Sequence, residues 1–146
     1  DTLLTKGISL GSFHALPSLK SHAVKNQTPE TPNVLAIYVL SKVIADMIRR
    51  GITTIRPETG YKSTLLYETL DSHPDIKAFV TDKAFRSKTV IVANTGEHTE
   101  SITRKLLGKG MQPGDGYGAA KKTQLRFANF PTHSKEQFEL LVDTLI

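Results

Sequence analysis

The sequence predicts an α+β fold, a small mixed or antiparallel sheet with helices packed on one side. Two observations carry this. Apolar residues recur at helical spacing in four segments, whereas TVIVA and QLRFA read as short strands. The resulting order is helix, helix, strand, strand, helix, strand, helix, which suits one sheet layer under one helix layer. A chain of 146 residues, 38% of them hydrophobic, fits one ordinary core.

Residues 1–33 read as irregular, because Gly7, Gly11, Pro17, Pro29 and Pro32 interrupt any period. So long a structureless stretch is unusual within an isolated compact domain. It is expected to be the end of a missing domain, with residues 34–146 forming a separate small one.

The clearest helix runs from Asn33 to about Arg50. Asn33 can cap it, and Leu35, Tyr38, Val39, Val43, Ile44 and Met47 trace an apolar face that Lys42 interrupts. Gly51 stops it, after two arginines that suit the negative helix end. A second helix is expected from Pro57, which fits a first turn, to Ser72, with Leu65, Leu66 and Leu70 buried. His73–Asp75 break the chain. Strands follow at Ile76–Thr81 and Ser87–Asn94, joined by the turn DKAFRS.

Thr99 opens a third helix that ends near Gly108 and Gly110, and QPGDGYG reads as a loop. Thr123–Phe130 reads as a strand. The last segment, HSKEQFELLVDTLI, reads as an amphipathic helix with a Ser134/Gln137 capping box and Phe138, Leu141, Val142 and Leu145 on one face.

Composition excludes several chemistries. The absence of cysteine removes disulfides, thiolate metal sites and a thiol nucleophile, and is compatible with a reducing cytoplasm. No apolar run approaches the ~18 residues a membrane span needs. The five histidines (His14, His22, His73, His98, His133) stand singly, without zinc-helix spacing, so no metal is expected. There is no nucleophile elbow and no Walker loop, and GDGYG does not open a helix directly. The net charge of +5 is either a solvated lysine-rich surface or an attraction for an anionic partner. Without an arginine run or aromatic-basic interleaving, a small anionic molecule is favoured over nucleic acid.

Two segments carry candidate chemistry. In NQTPETPNVLAIY, turn-forming residues lead into a helix N-terminus, whose unpaired amides and positive dipole end suit a phosphate. Thr31 adds a hydroxyl, and ordinary capping explains the same pattern. In KKTQLRFANF, Arg126 sits within an apolar strand and needs a partner. Its planar fork suits either a structural Asp or Glu, or a substrate carboxylate.

With PSLKSH, TPNVLAIYVLSKV, QLRFANF and the closing helix in this order, the chain resembles the phosphoserine aminotransferase family, within the class V group of fold-type I pyridoxal-phosphate (PLP) enzymes. The resemblance covers essentially the whole chain and implies the C-terminal small domain of such an enzyme. It implies that Thr31, or less directly Thr28, reaches across a homodimer interface to the PLP phosphate of the neighbouring subunit. Arg126 would bind the substrate α-carboxylate. Where many members carry a His-Arg pair for the substrate phosphate, this chain has AAKK, so Lys121 or Lys122 would supply the charge without the fork geometry. Glu30 stands where the family often has Asn, and is expected to point away from phosphate or contribute only backbone.

The Schiff-base lysine, the aspartate at the pyridine nitrogen and the stacked aromatic belong to upstream sequence in this family, so the fragment is expected to be inactive alone. The complete enzyme would be cytoplasmic and would transfer the amino group of glutamate to 3-phosphohydroxypyruvate, for serine biosynthesis. The alternatives are another class V aminotransferase and a non-enzymatic module binding an anion or nucleic acid. A cysteine desulfurase is disfavoured, because GYGAAKKTQ lacks the cysteine that such an enzyme would place before the Arg126 strand.

Overall fold

The computed structural model describes residues 15–146; His14 and the first part of the stretch expected to be irregular lie outside the described residues. The chain divides into two compact units, Asp1–Asp46 and Met47–Ile146.

The first unit holds α1 (Leu16–Ala23) and most of α2 (Val34–Arg50). Helix α1 falls inside the segment expected to be irregular. Pro17 lies in its first turn, where a missing amide hydrogen costs nothing, so this proline starts a helix instead of breaking one. Asn33 caps α2 as expected, its side-chain oxygen accepting from the Ala36 amide at 3.0 Å. No residue of α2 is buried; the apolar face traced by Leu35, Tyr38, Val39, Val43 and Ile44 is exposed.

Gly51, at φ 79°, ends α2 and caps the start of α3 (Ile52–Ser72), a conformation that residues bearing a Cβ rarely adopt. Helix α3 begins a turn earlier than expected and carries Pro57 in its interior, at the loss of one helical hydrogen bond. With several threonines and Gly60, its propensity is weak, so packing holds it: Ile55, Leu66 and Leu70 lie on the buried stripe.

The sheet has four strands: β1 (Lys77–Ala78), β2 (Val90–Asn94), β3 (Gly114–Asp115) and β4 (Gln124–Ala128). Their order is β1-β2-β4-β3 and every pairing is antiparallel. The strands are shorter than the sequence suggests, because pairing stops where the flanking loops turn away. Helices α4 (Thr99–Gly108) and α5 (Lys135–Leu145) complete the fold. The expected capping box closes α5, with Ser134 and Gln137 bonded reciprocally.

Strand alternation sorts the sheet into two faces. Ile91 pairs with Phe127 and Ala93 with Leu125, and all four are buried with Leu66, Leu70, Leu106, Phe138 and Leu141. Each fully buried Leu, Ile or Phe side chain among these contributes about 1.5–3 kcal/mol relative to exposure. On the opposite face Val92 pairs with Arg126 and Asn94 with Gln124, and none of these four is buried. The expected single helix layer is therefore present in the second unit, whose helices pack on the buried face of the sheet.

Candidate functional site

Arg126 stands on the sheet face opposite the core because it alternates with two core residues, Leu125 and Phe127. Its guanidinium is half-buried, and no carboxylate among the described residues pairs with it. Nε donates to the Asp115 carbonyl at 2.5 Å, and Nη1 to the Tyr117 hydroxyl at 2.6 Å. The guanidinium carbon also lies over the Tyr117 ring, 4.0 Å from its centroid. Of the two partners left open for this arginine, a structural Asp or Glu is absent among the described residues.

Strand β3 and the loop after it supply these contacts. Gly114 faces Arg126 across the β3–β4 pair, and a Cβ there would lie 3.3 Å from Nη2. A Cβ on Gly116 would overlap the Ala120 carbonyl, while the Gly116 amide donates to Gln124 at 2.9 Å. In the GDGYG segment Gly116 thus allows close backbone approach, Gly114 leaves room for the Arg126 side chain, and Gly118 supplies a positive φ of 53°. Sequence reasoning did not single out Tyr117: it lies nine positions from Arg126 in an aperiodic loop. The signal available was an aromatic between glycines, shortly before a strand arginine.

Lys121 and Lys122 end a 3-10 turn over Gly118–Lys122, just beyond Tyr117, and both are exposed. Neither is hydrogen-bonded to Arg126. They add positive charge to this loop without the planar fork of an arginine.

In the first unit, Thr28 donates its hydroxyl to the Glu30 carbonyl at 2.6 Å. Glu30 thus engages Thr28 through its backbone. Thr31 is exposed, two positions before the Asn33 cap. Asn33 satisfies the Ala36 amide, leaving those of Val34 and Leu35 without intrahelical acceptors.

Lys62 is the one lysine in the described residues that is buried, at 1% exposure. Its ammonium donates to the main-chain carbonyls of Phe130 and His133 at 3.1 and 2.6 Å and lies over the Phe138 ring. Burial lowers its pKa, opposed by the charge of Glu58. Its hydrogen bonds all go to backbone, so it braces the loop before α5. Of the histidines, His73 and His133 likewise serve local structure: Nδ1 of each accepts from nearby backbone amides. No group of three or more potential metal ligands occurs among the described residues. No helix there is long and apolar enough to cross a membrane.

No family model matches the chain. Curated relatives and solved structures do. A phosphoserine aminotransferase of Nocardioides sp. is 24% identical over 147 residues, 99% of this chain and 39% of that protein. The crystal structure of a phosphoserine aminotransferase from Cytophaga hutchinsonii is 43% identical, with a TM-score of 0.86 over 99% of this chain and 40% of its own. The enzyme from Bacillus circulans subsp. alkalophilus shares the fold at 20% identity and a TM-score of 0.73, over 86% of this chain and 35% of its own. The chain spans about two fifths of the length of the curated relatives it matches, 36–39%. Along nearly its whole length the chain is thus similar in sequence and fold to phosphoserine aminotransferases, matching a part of the larger enzyme.

Proposed function

We propose that this chain is the carboxylate-binding part of a phosphoserine aminotransferase. The complete enzyme would pass the amino group of glutamate to 3-phosphohydroxypyruvate, giving 2-oxoglutarate and phosphoserine. One observation supports this most: Arg126 presents a guanidinium on the sheet face opposite the core, with no carboxylate partner among the described residues. An arginine held by neutral groups keeps its full charge for a ligand, and its planar fork matches a carboxylate.

Lys121 and Lys122 would attract the substrate phosphate. For the cofactor, the chemistry at the head of α2 fits a phosphate group: an exposed Thr31 hydroxyl precedes backbone amides at the positive end of the helix. Thr28 is the second candidate, although its hydroxyl hydrogen already goes to Glu30. Bound PLP would supply an electron sink for the amino group's carbon. The lysine that carries PLP is assigned to the remainder of the parent protein, where the family resemblance puts it; Lys62, the one buried lysine among the described residues, is committed to backbone carbonyls. In this reading the parent enzyme is a cytoplasmic homodimer, with Thr31 serving the neighbouring subunit and residues 1–33 belonging to the larger domain.

The test is an assay of the full-length enzyme with glutamate and a series of keto acids. Preferential formation of phosphoserine from 3-phosphohydroxypyruvate is expected. Equal efficiency with an unphosphorylated analogue would overturn the substrate assignment.

A further inference from the structure

Tyr117 is 75% exposed, so no core packing accounts for where it lies. Its side chain meets Arg126 twice, through the ring face and through the accepting hydroxyl. The backbone on either side is fixed for this purpose. Gly116 has no room for a side chain, Gly118 adopts φ 53°, and the Tyr117 carbonyl accepts from the Ala120 amide at 3.0 Å. Gly114 clears the space in which Nη2 lies.

A guanidinium has five N–H donors. Nε is taken by the Asp115 carbonyl and one hydrogen of Nη1 by Tyr117. Side-on binding of a carboxylate, which uses Nε, is therefore closed, and the hydrogens left for a ligand are one on Nη1 and two on Nη2. The groups that hold the cation are a carbonyl, a phenol and a ring face, all neutral. They fix its orientation without discharging it.

We propose that Tyr117 is a positioning residue that holds Arg126 so that its remaining Nη1 and Nη2 hydrogens receive the substrate carboxylate. This rests on the reading of Arg126 as the carboxylate-binding group. The experiment is steady-state kinetics of the full-length enzyme with glutamate, comparing Tyr117→Ala, Tyr117→Phe, Gly114→Ala, Arg126→Ala and the Tyr117→Ala/Arg126→Ala double variant. Tyr117→Ala is expected to raise KM for glutamate about three- to tenfold with kcat within about twofold. Tyr117→Phe, which keeps the ring, falls between wild type and Ala. Gly114→Ala, which crowds Nη2 and leaves Tyr117 in place, also raises KM. In the Arg126→Ala background, removing Tyr117 has no further effect. If Arg126→Ala raises KM and Tyr117→Ala does not, the positioning role is wrong and the function of Arg126 stands. If Arg126→Ala leaves KM unchanged, the reading of Arg126 itself fails. Equal effects of Tyr117→Phe and Tyr117→Ala would remove the ring from the account and overturn the proposal.

Discussion

Lys62 on α3 donates to the carbonyl of His133 at 2.6 Å, tying the longest helix to the loop that leads into α5. A second bond reaches the Phe130 carbonyl two residues after β4 ends. One ammonium thus joins the helix layer to the end of the strand that carries Arg126. Lys62→Ala is expected to destabilise the protein by about 2–4 kcal/mol, from lost stem packing and unmet carbonyls. Urea denaturation of the full-length protein measures it, and a change under about 0.5 kcal/mol would show the brace to be unimportant.

Asp71 and Arg86 form a two-pronged ion pair, at 2.7 and 2.8 Å, with Arg86 stacked on Tyr67. Hydrogen bonding by Arg86 holds the Asp71 carboxyl below its ordinary value of about 3.8. The folded-state pKa is lowered, so the pair stabilises fully above the unfolded value, and that stability is lost as pH falls through the lower, folded value. Asp71 is partly exposed, which limits the effect to about 1 kcal/mol. Asp71→Asn should lower the urea midpoint at neutral pH, with the difference from wild type closing in acid. A difference independent of pH would contradict this.

Arg126→Ala in the full-length enzyme is expected to raise KM for glutamate about ten- to a hundredfold, the value of a lost charge-assisted pair of hydrogen bonds. Arg126→Lys should recover little of this, because an ammonium is a point charge without the fork. Recovery by lysine close to wild type would mean that charge alone suffices.

Gly116→Ala should disturb the loop that carries Tyr117, since the new Cβ would overlap the Ala120 carbonyl and crowd Gln124. The sheet core lies on the other face, so melting temperature should fall modestly while KM for glutamate rises. Unchanged kinetics would show that the loop adapts without moving Tyr117.

The parts of this fold with a strong local rule were legible in the sequence. The Ser134/Gln137 box, the Asn33 cap and the Gly51 stop each follow from backbone groups that need a partner or a special φ. The alternation in QLRFA put Arg126 opposite Leu125 and Phe127. Helix α1 is not legible because Pro17 reads as an interruption, nor is the start of α3, because Pro57 reads as a first turn. In both cases proline's position in the helix, which sequence alone does not fix, decides its effect. The Tyr117 contact and the burial of Lys62 were illegible for another reason. Each depends on residues brought together by the sheet and its covering helices, with no periodic signal of its own.

The outermost strands, β1 and β3, are two residues long, whereas the inner pair, β2 and β4, are five. An incoming extended chain would find almost no row of vacant amides and carbonyls to copy, and at β1 it would also meet the charged Lys77. Fibrous, cross-linked stacking through the sheet margin is thereby discouraged, which matters for a unit whose own helices pack on one sheet surface.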